Sequence, residues 1–195
     1  MSGLQNKSTI MNAITEKIIE IFDQRGNAQY GVEEVTQLQH ALQCATLAEE
    51  ENADIRLVVS ALLHDIGHIL SEEQIPDSVD DDLHDYHEEK GYHFLLDHFG
   101  ARIADPVRLH VAAKRYLCTV EPDYLDKLSP TSRKSFFDQG GNMNEEELAA
   151  FEAEPHFTEA VQVRRWDDKG KDPEAKTKSI QEFAPQIEHC LTTTA

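Results

Sequence analysis

Cysteine is scarce in this 195-residue chain: Cys44, Cys118 and Cys190 stand far apart, and no two form a CxxC pair. That excludes a disulfide framework and a thiolate zinc site, and it reads as reduced thiols in the cytoplasm. Long apolar runs are missing too. The longest, Leu57 to Leu63, contains Ser60 and is far too short to cross a bilayer. No signal peptide is visible, because Glu16, Lys17 and Glu20 break the first apolar cluster. Positive charge is also short, since 18 Lys and Arg against 37 Asp and Glu leave −19 with histidine neutral. An extended nucleic-acid or anionic-membrane surface would need clustered basic residues, so neither is expected as a partner. Strand-like alternation, internal repeats and low-complexity runs are absent.

What remains is a globular composition, 39% hydrophobic and 28% charged, at a length that suits one domain. The periodicity is helical nearly throughout. Ile10, Ile14, Ile18, Ile21 and Phe22 form one apolar stripe, closed by Gly26. A second helix is expected over about Val32 to Glu50, with Val35, Leu38, Leu42 and Ala45 facing the core. Asp54 N-caps a third that runs through LVVSALLHDIGH, and a fourth covers roughly His84 to Phe99. Asp105-Pro106 and Ser129-Pro130 each set proline at a tolerated first helical position. Asn144 with Glu147 makes a capping box, and a further amphipathic stretch carries VQVRRWDDKGK. Residues 172–195, interrupted by Pro173 and Pro185, read as a peripheral tail to a core of about 29–171 within a single all-α domain.

Ten histidines are the odd entry in the composition. HDIGH sets His64 and His68 one turn apart, with Asp65 beside His64. Imidazole and carboxylate without thiolate suit iron, manganese or zinc alike. Upstream, Glu33, Gln37, His40 and Cys44 recur at intervals of 4, 3 and 4, with Tyr30 at the entrance. At 3.6 residues per turn they share a sector of about 60°. Because His stands there among Gln and Cys rather than Lys and Glu, the stripe is read as facing a site. His84, His87, His93 and His98 do not share a face; Gly91 leaves room beside His87, and the other three read as surface or capping residues. HVAAK puts His110 and Lys114 one turn apart with alanines between, as on a crowded concave wall or on an ordinary amphipathic helix. Arg164 can pair with Asp167 at i,i+3, and Arg165 with Asp168 in the same way, so spacing does not choose between them.

The order H…HD…H…H…D, at His40, His64-Asp65, His87, His110 and Asp167, resembles the HD-domain superfamily in its binuclear form. Most of that superfamily are metal-dependent phosphohydrolases. A smaller branch consists of mixed-valent diiron oxygenases, including myo-inositol oxygenase and the PhnZ-type enzymes that cleave organophosphonates. The chain is most similar to the phosphonate branch, through QYGVEEVTQLQH at 29–40, ALLHDIGH at 61–68, HVAAKRYL at 110–117, LSPTSRK at 128–134 and RRWDDKGK at 164–171.

The resemblance implies an HD-domain helical bundle around a dinuclear site holding two Fe ions, Fe(II)/Fe(III), with O2 as co-substrate. It makes His40, His64 and Asp167 ligands of one iron and His87 and His110 ligands of the other, with Asp65 bridging. It assigns His68, Lys114, Ser132 and Arg164 to a small anionic phosphonate substrate. Tyr30 and Glu33 match a pair that covers the site, with the Glu meeting a cationic nitrogen. The implied reaction is oxidative C–P cleavage of a 1-hydroxy-2-aminoethylphosphonate, releasing phosphate and a carboxylic acid. The N-trimethyl substrate, giving glycine betaine, is favoured over the primary amine, giving glycine. The alternative is an HD phosphohydrolase acting on a nucleotide or phosphomonoester. Oligomeric state is left open.

Overall fold

The structure is a computed structural model and describes residues 11–71 and 87–192. The expectations for Ile10 and His84 therefore fall outside the described residues. Among those residues the regular elements are helices. Helix α1 spans Ala13–Arg25, and its buried stripe of Ile18, Ile21 and Phe22 ends where Gly26 N–H bonds the Phe22 carbonyl. Helix α2 is Gln37–Glu50, shorter than expected. Thr36 and Gln39 form a reciprocal capping box that stops the helix there, so Glu33 lies in the preceding loop rather than on the helix. In that loop Gly31 takes φ +56°, a left-handed turn suited to glycine.

Helix α3, Ile55–Leu63, is N-capped by Asp54 as expected but ends before HDIGH. Ile66–His68 instead form one 3-10 turn. Helix α4 is His87–Phe99 and α5 is Ala101–Val120. Here the expected opening at Asp105-Pro106 is corrected. Gly100, at φ +76°, joins the two helices directly, and Pro106 lies inside α5. Helices α6 (Tyr124–Lys127), α7 (Pro130–Asp138), α8 (Glu145–Glu152) and α9 (Phe157–Lys169) follow. The caps at Ser129 and Asn144 are as expected.

The tail is not peripheral. A 3-10 turn at Ile180–Phe183 and helix α10 (Ala184–Cys190) bury Ile180, Phe183, Ala184, Ile187 and Cys190 in the main core. They pack against α1 and α3, whose apolar faces would otherwise meet water. The spacing 180, 183, 187 is a helical stripe of its own, and Pro185 sits harmlessly in the first turn of α10.

Helix α5 runs through the middle, against α3, α4 and α9. Its buried stripe of Ile103, Val107, His110, Lys114 and Leu117 keeps the apolar period while substituting two polar residues. Helix α9 does the same with Ala160, Val163, Arg164 and Asp167. Charged groups in such stripes are costly unless paired, so these substitutions mark where the core opens into a site. No described helix is long and apolar enough to cross a membrane.

Candidate metal centre and its cavity

The six expected metal donors converge in two clusters. His40 Nε2 lies 3.2 Å from His64 Nε2, 3.4 Å from Asp167 Oδ1 and 3.6 Å from Asp65 Oδ2. His64 Nε2 is 3.3 Å from the same Asp65 oxygen. On the other side, His87 Nε2 and His110 Nε2 are 3.4 Å apart and stand 3.4 and 3.5 Å from Asp65 Oδ1. Asp65 thus offers one oxygen to each cluster, at the break between α3 and the 3-10 turn.

The backbone sets the tautomers. His40 Nδ1–H donates to the Gly170 carbonyl at 2.8 Å, His64 Nδ1–H to Ala61 at 2.8 Å and His110 Nδ1–H to Val107 at 2.6 Å. A proton on Nδ1 leaves Nε2 of each ring pointing into its cluster, where it can offer a lone pair to a cation. Both Asp65 oxygens are buried with no hydrogen-bond partner. Imidazole nitrogens converging on a buried carboxylate that has no other hydrogen-bond partner suit a cation, so the donors fit a pair of metal ions. Four imidazoles and two carboxylates make an N/O set for a first-row metal.

Burial opposes charge on Asp65, but with no cation present the carboxylate raises His87 and pushes His64 up to about 9, and those charged rings in turn hold the carboxyl well below its usual range. Burial pushes His110 down to about 3, so that ring is neutral and ready to coordinate. His87 Nδ1 faces Glu88 Oε2 at 3.4 Å, a carboxylate behind a donor histidine. Cys44 packs on His40, with Sγ 3.9 and 3.8 Å from its two ring nitrogens. Burial, with Asp167 and Asp65 nearby, raises its thiol well above the usual value. Cys44 Sγ lies with His40 and His64 close enough to hold an ion together, so it stands beside Asp167 as a candidate donor of the first cluster.

A cavity of about 330 Å³ opens onto both clusters. Asp65, His87, His110 and Asp167 line it together with the expected Tyr30, Glu33, His68, Ser132 and Arg164. Tyr30 stacks on the His40 ring at 3.9 Å and donates its O–H to Asp167 Oδ1 at 3.3 Å. Glu33 lines this space, and its Oε1 is buried without a hydrogen-bond partner. His68 stacks on His87 at 3.8 Å.

Arg164 is buried and held by two carboxylates: Nη1 meets Asp167 Oδ2 at 2.6 Å, while Nε and Nη2 fork onto Asp168. Tyr124 O–H donates to Asp168 in turn. The open choice of partners is thereby settled, because Arg165 pairs with Glu121 instead. Arg164 Nη2 also reaches Ser132 Oγ at 3.3 Å. Lys114 is set back from the cavity wall, with Nζ donating to Ser135 Oγ at 2.6 Å, and it is Ser135 that lines the cavity. Burial, with the nearby Arg164 charge, pushes the Lys114 ammonium down to about 8.

Sequence reasoning missed Lys171, Thr131 and Gln139, which also line the cavity. Lys171 could have been found, because it stands four residues after Asp167. Thr131 and Gln139 carry no such signal.

The HD domain family matches residues 37–168, the span that holds all six donors. The chain belongs to the HD-domain family. It is 45% identical over 178 residues, 91% of this chain and 90% of the other, to the 1-hydroxy-2-(trimethylamino)ethylphosphonate dioxygenase (glycine-betaine-forming) of Leisingera caerulea. It is 42% identical over 179 residues, 89% of this chain and 86% of the other, to the hydroxymethylphosphonate dioxygenase of Gimesia maris. Within the HD-domain family it groups with these phosphonate dioxygenases.

Proposed function

We propose that this chain is a cytoplasmic, iron-dependent oxygenase that cleaves the C–P bond of a 1-hydroxyphosphonate bearing a cationic amine at C2. The favoured substrate is (R)-1-hydroxy-2-(trimethylammonio)ethylphosphonate, giving glycine betaine; 2-amino-1-hydroxyethylphosphonate, giving glycine, is second. One observation carries the reading. A single cavity joins the metal donors, the buried cation Arg164 and the unpartnered carboxylate oxygen of Glu33. A zwitterion with an anionic head and a cationic tail complements that arrangement. The two relatives described above are named as phosphonate dioxygenases, and the first for a trimethylamino compound.

In the overall reaction dioxygen and the hydroxyphosphonate give a carboxylate, inorganic phosphate and a proton. The electrons that reduce dioxygen come from the C–H and C–P bonds of C1. His40, His64 and Asp167 would hold one iron and His87 and His110 the other, with Asp65 between. Bound there, the pair supplies dioxygen activation and Lewis acidity toward the phosphonate and C1 hydroxyl oxygens.

The chain's own residues place the substrate. Ser132 Oγ already accepts from Arg164 and Lys171, so its O–H is left to donate to the phosphonate. Arg164, braced by Asp168, offsets the anionic charge. Glu33 attracts the cationic nitrogen, and the Tyr30 ring offers an aromatic face to methyl groups that cannot donate. Tyr30 and Glu33, on the loop before α2, cover the cavity and keep water from the reacting carbon.

The test is phosphate release from both amino substrates, side by side, with and without oxygen. Release should require oxygen and consume it one-for-one, with the trimethyl compound turned over faster. Phosphate release under strict anaerobiosis would instead indicate a phosphohydrolase.

Lys114 adds a pH signature. With its ammonium held down to about 8, it is charged below that pH and neutral above it. The value of kcat/KM is therefore expected to fall as pH rises through about 8. In Lys114→Arg that alkaline limb should move up, since arginine stays charged. An identical limb in the variant would remove Lys114 from substrate attraction.

A further inference from the structure

Three cations stand around the cavity, and they are unequally engaged. Arg164 spends its donors on Asp167, Asp168 and Ser132. Lys114 is turned onto Ser135. Lys171 differs from Arg164 in keeping unspent donors and from Lys114 in lining the cavity itself. It lines the cavity, its side chain is 10% exposed, and Nζ donates to Ser132 Oγ at 3.0 Å. Its distance of 3.6 Å to Asp167 Oδ1 is longer than a hydrogen bond. The same ammonium lies 5.7 Å from the centre of the Tyr30 ring. An ammonium carries three donors, so two of them are not spent on hydrogen bonds.

The backbone at Lys171 is fixed on both sides. Before it, the Gly170 carbonyl accepts from His40 Nδ1–H at 2.8 Å. After it, Gln43 accepts from Asp172 N–H at 3.0 Å and donates to the Asp172 carbonyl at 2.9 Å. A lysine held so firmly at its root, with donors left over at its tip, is placed to meet an anion.

We propose that Lys171 is a further phosphonate-binding residue, resting on the reading of this cavity as a phosphonate site. Its ammonium gives a charge-assisted hydrogen bond to a phosphonate oxygen beside Ser132, where Arg164 also arrives. Because that ammonium lies near the Tyr30 ring, the arriving anion also draws on the residue that covers the cavity. Phosphonate binding thus uses Lys171 directly, while Arg164 keeps its two carboxylates.

Inorganic phosphate is the probe, since it needs no oxygen chemistry. Its affinity for the iron-loaded full chain is measured by calorimetry for the wild type, Lys171→Met and Lys171→Arg, alongside iron content. Lys171→Met should bind phosphate about ten- to a hundredfold more weakly, the loss of one charge-assisted bond, with Lys171→Arg recovering part of it. Iron content should match the wild type in both variants. In turnover the loss should fall on KM, with kcat largely kept. Wild-type phosphate affinity in Lys171→Met would overturn the proposal. Loss of iron would overturn it too, by making Lys171 a support for Asp167. If phosphate binding depends on Lys171 but no phosphonate is oxidised, the binding role stands and the oxygenase reading falls.

Discussion

Asp65→Ala is expected to leave a chain that folds but holds neither metal. Asp65 is the one donor shared by both clusters, with Oδ2 toward His40 and His64 and Oδ1 toward His87 and His110. Without it the second cluster keeps two neutral imidazoles and no anion. The first keeps two imidazoles and Asp167, whose charge is already drawn on by Arg164 and Lys171. Two separate ions cannot be held close together without the negative charge that bridges them. Folding survives because the surrounding core is apolar and the lost carboxylate makes no hydrogen bond. Metal analysis after anaerobic reconstitution should fall from about two ions per chain to well under one, and turnover should vanish with it. A variant that kept normal two-metal stoichiometry would break the bridging assignment.

Gly67→Ala should be nearly as damaging, for a steric reason. A Cβ on Gly67 would stand 1.9 Å from the His87 carbonyl oxygen, 2.7 Å from its carbon and 2.9 Å from Gly91 N. All three are backbone atoms, so no side-chain rotation relieves the clash. The 3-10 turn and the start of α4 must separate, and the separation acts on His87 itself. Overpacking of this kind costs about 1–3 kcal/mol, and a 1 Å misplacement at a catalytic centre costs about 100-fold in rate. The His40 cluster lies away from this contact, so metal content should fall toward about one ion per chain rather than none. The melting temperature and metal content of Gly67→Ala check both parts. Wild-type turnover with full metal content would show that α4 is free to yield.

The six donors are legible in the sequence through the resemblance of their order, H…HD…H…H…D, to the HD superfamily, whereas spacing alone leaves Asp167 and Asp168 equally open; the structure brings those six together. The caps at Asp54, Ser129 and Asn144 are legible because each acts within a few residues of chain. What escapes depends on distant partners. Gly67 carries no signal of its own in the sequence, and its need for glycine comes from the His87 carbonyl lying where a side chain would be. Pro106 suggests a helix start, but Gly100 supplies one earlier. The prolines of the tail mask Ile180, Phe183 and Ile187, whose burial is apparent only once α1 and α3 are in place. Arg164 and Arg165 are alike in spacing, and only the fold separates the one facing Asp168 from the one facing Glu121.

The seam between α2 and the end of α9 also bears on the order in which the site is built. His40 meets Gly170 across 130 positions of chain, and Gln43 meets Asp172 across 129. Most contacts in a helical bundle are local and quick to form, whereas closing so long a loop is delayed by its entropy. Asp65, His87 and His110 come from stretches nearer to one another along the chain, just after α3, on α4 and on α5. The His87–His110 half of the centre is therefore assembled from neighbours, while the His40–Asp167 half waits for the two ends of the domain to meet.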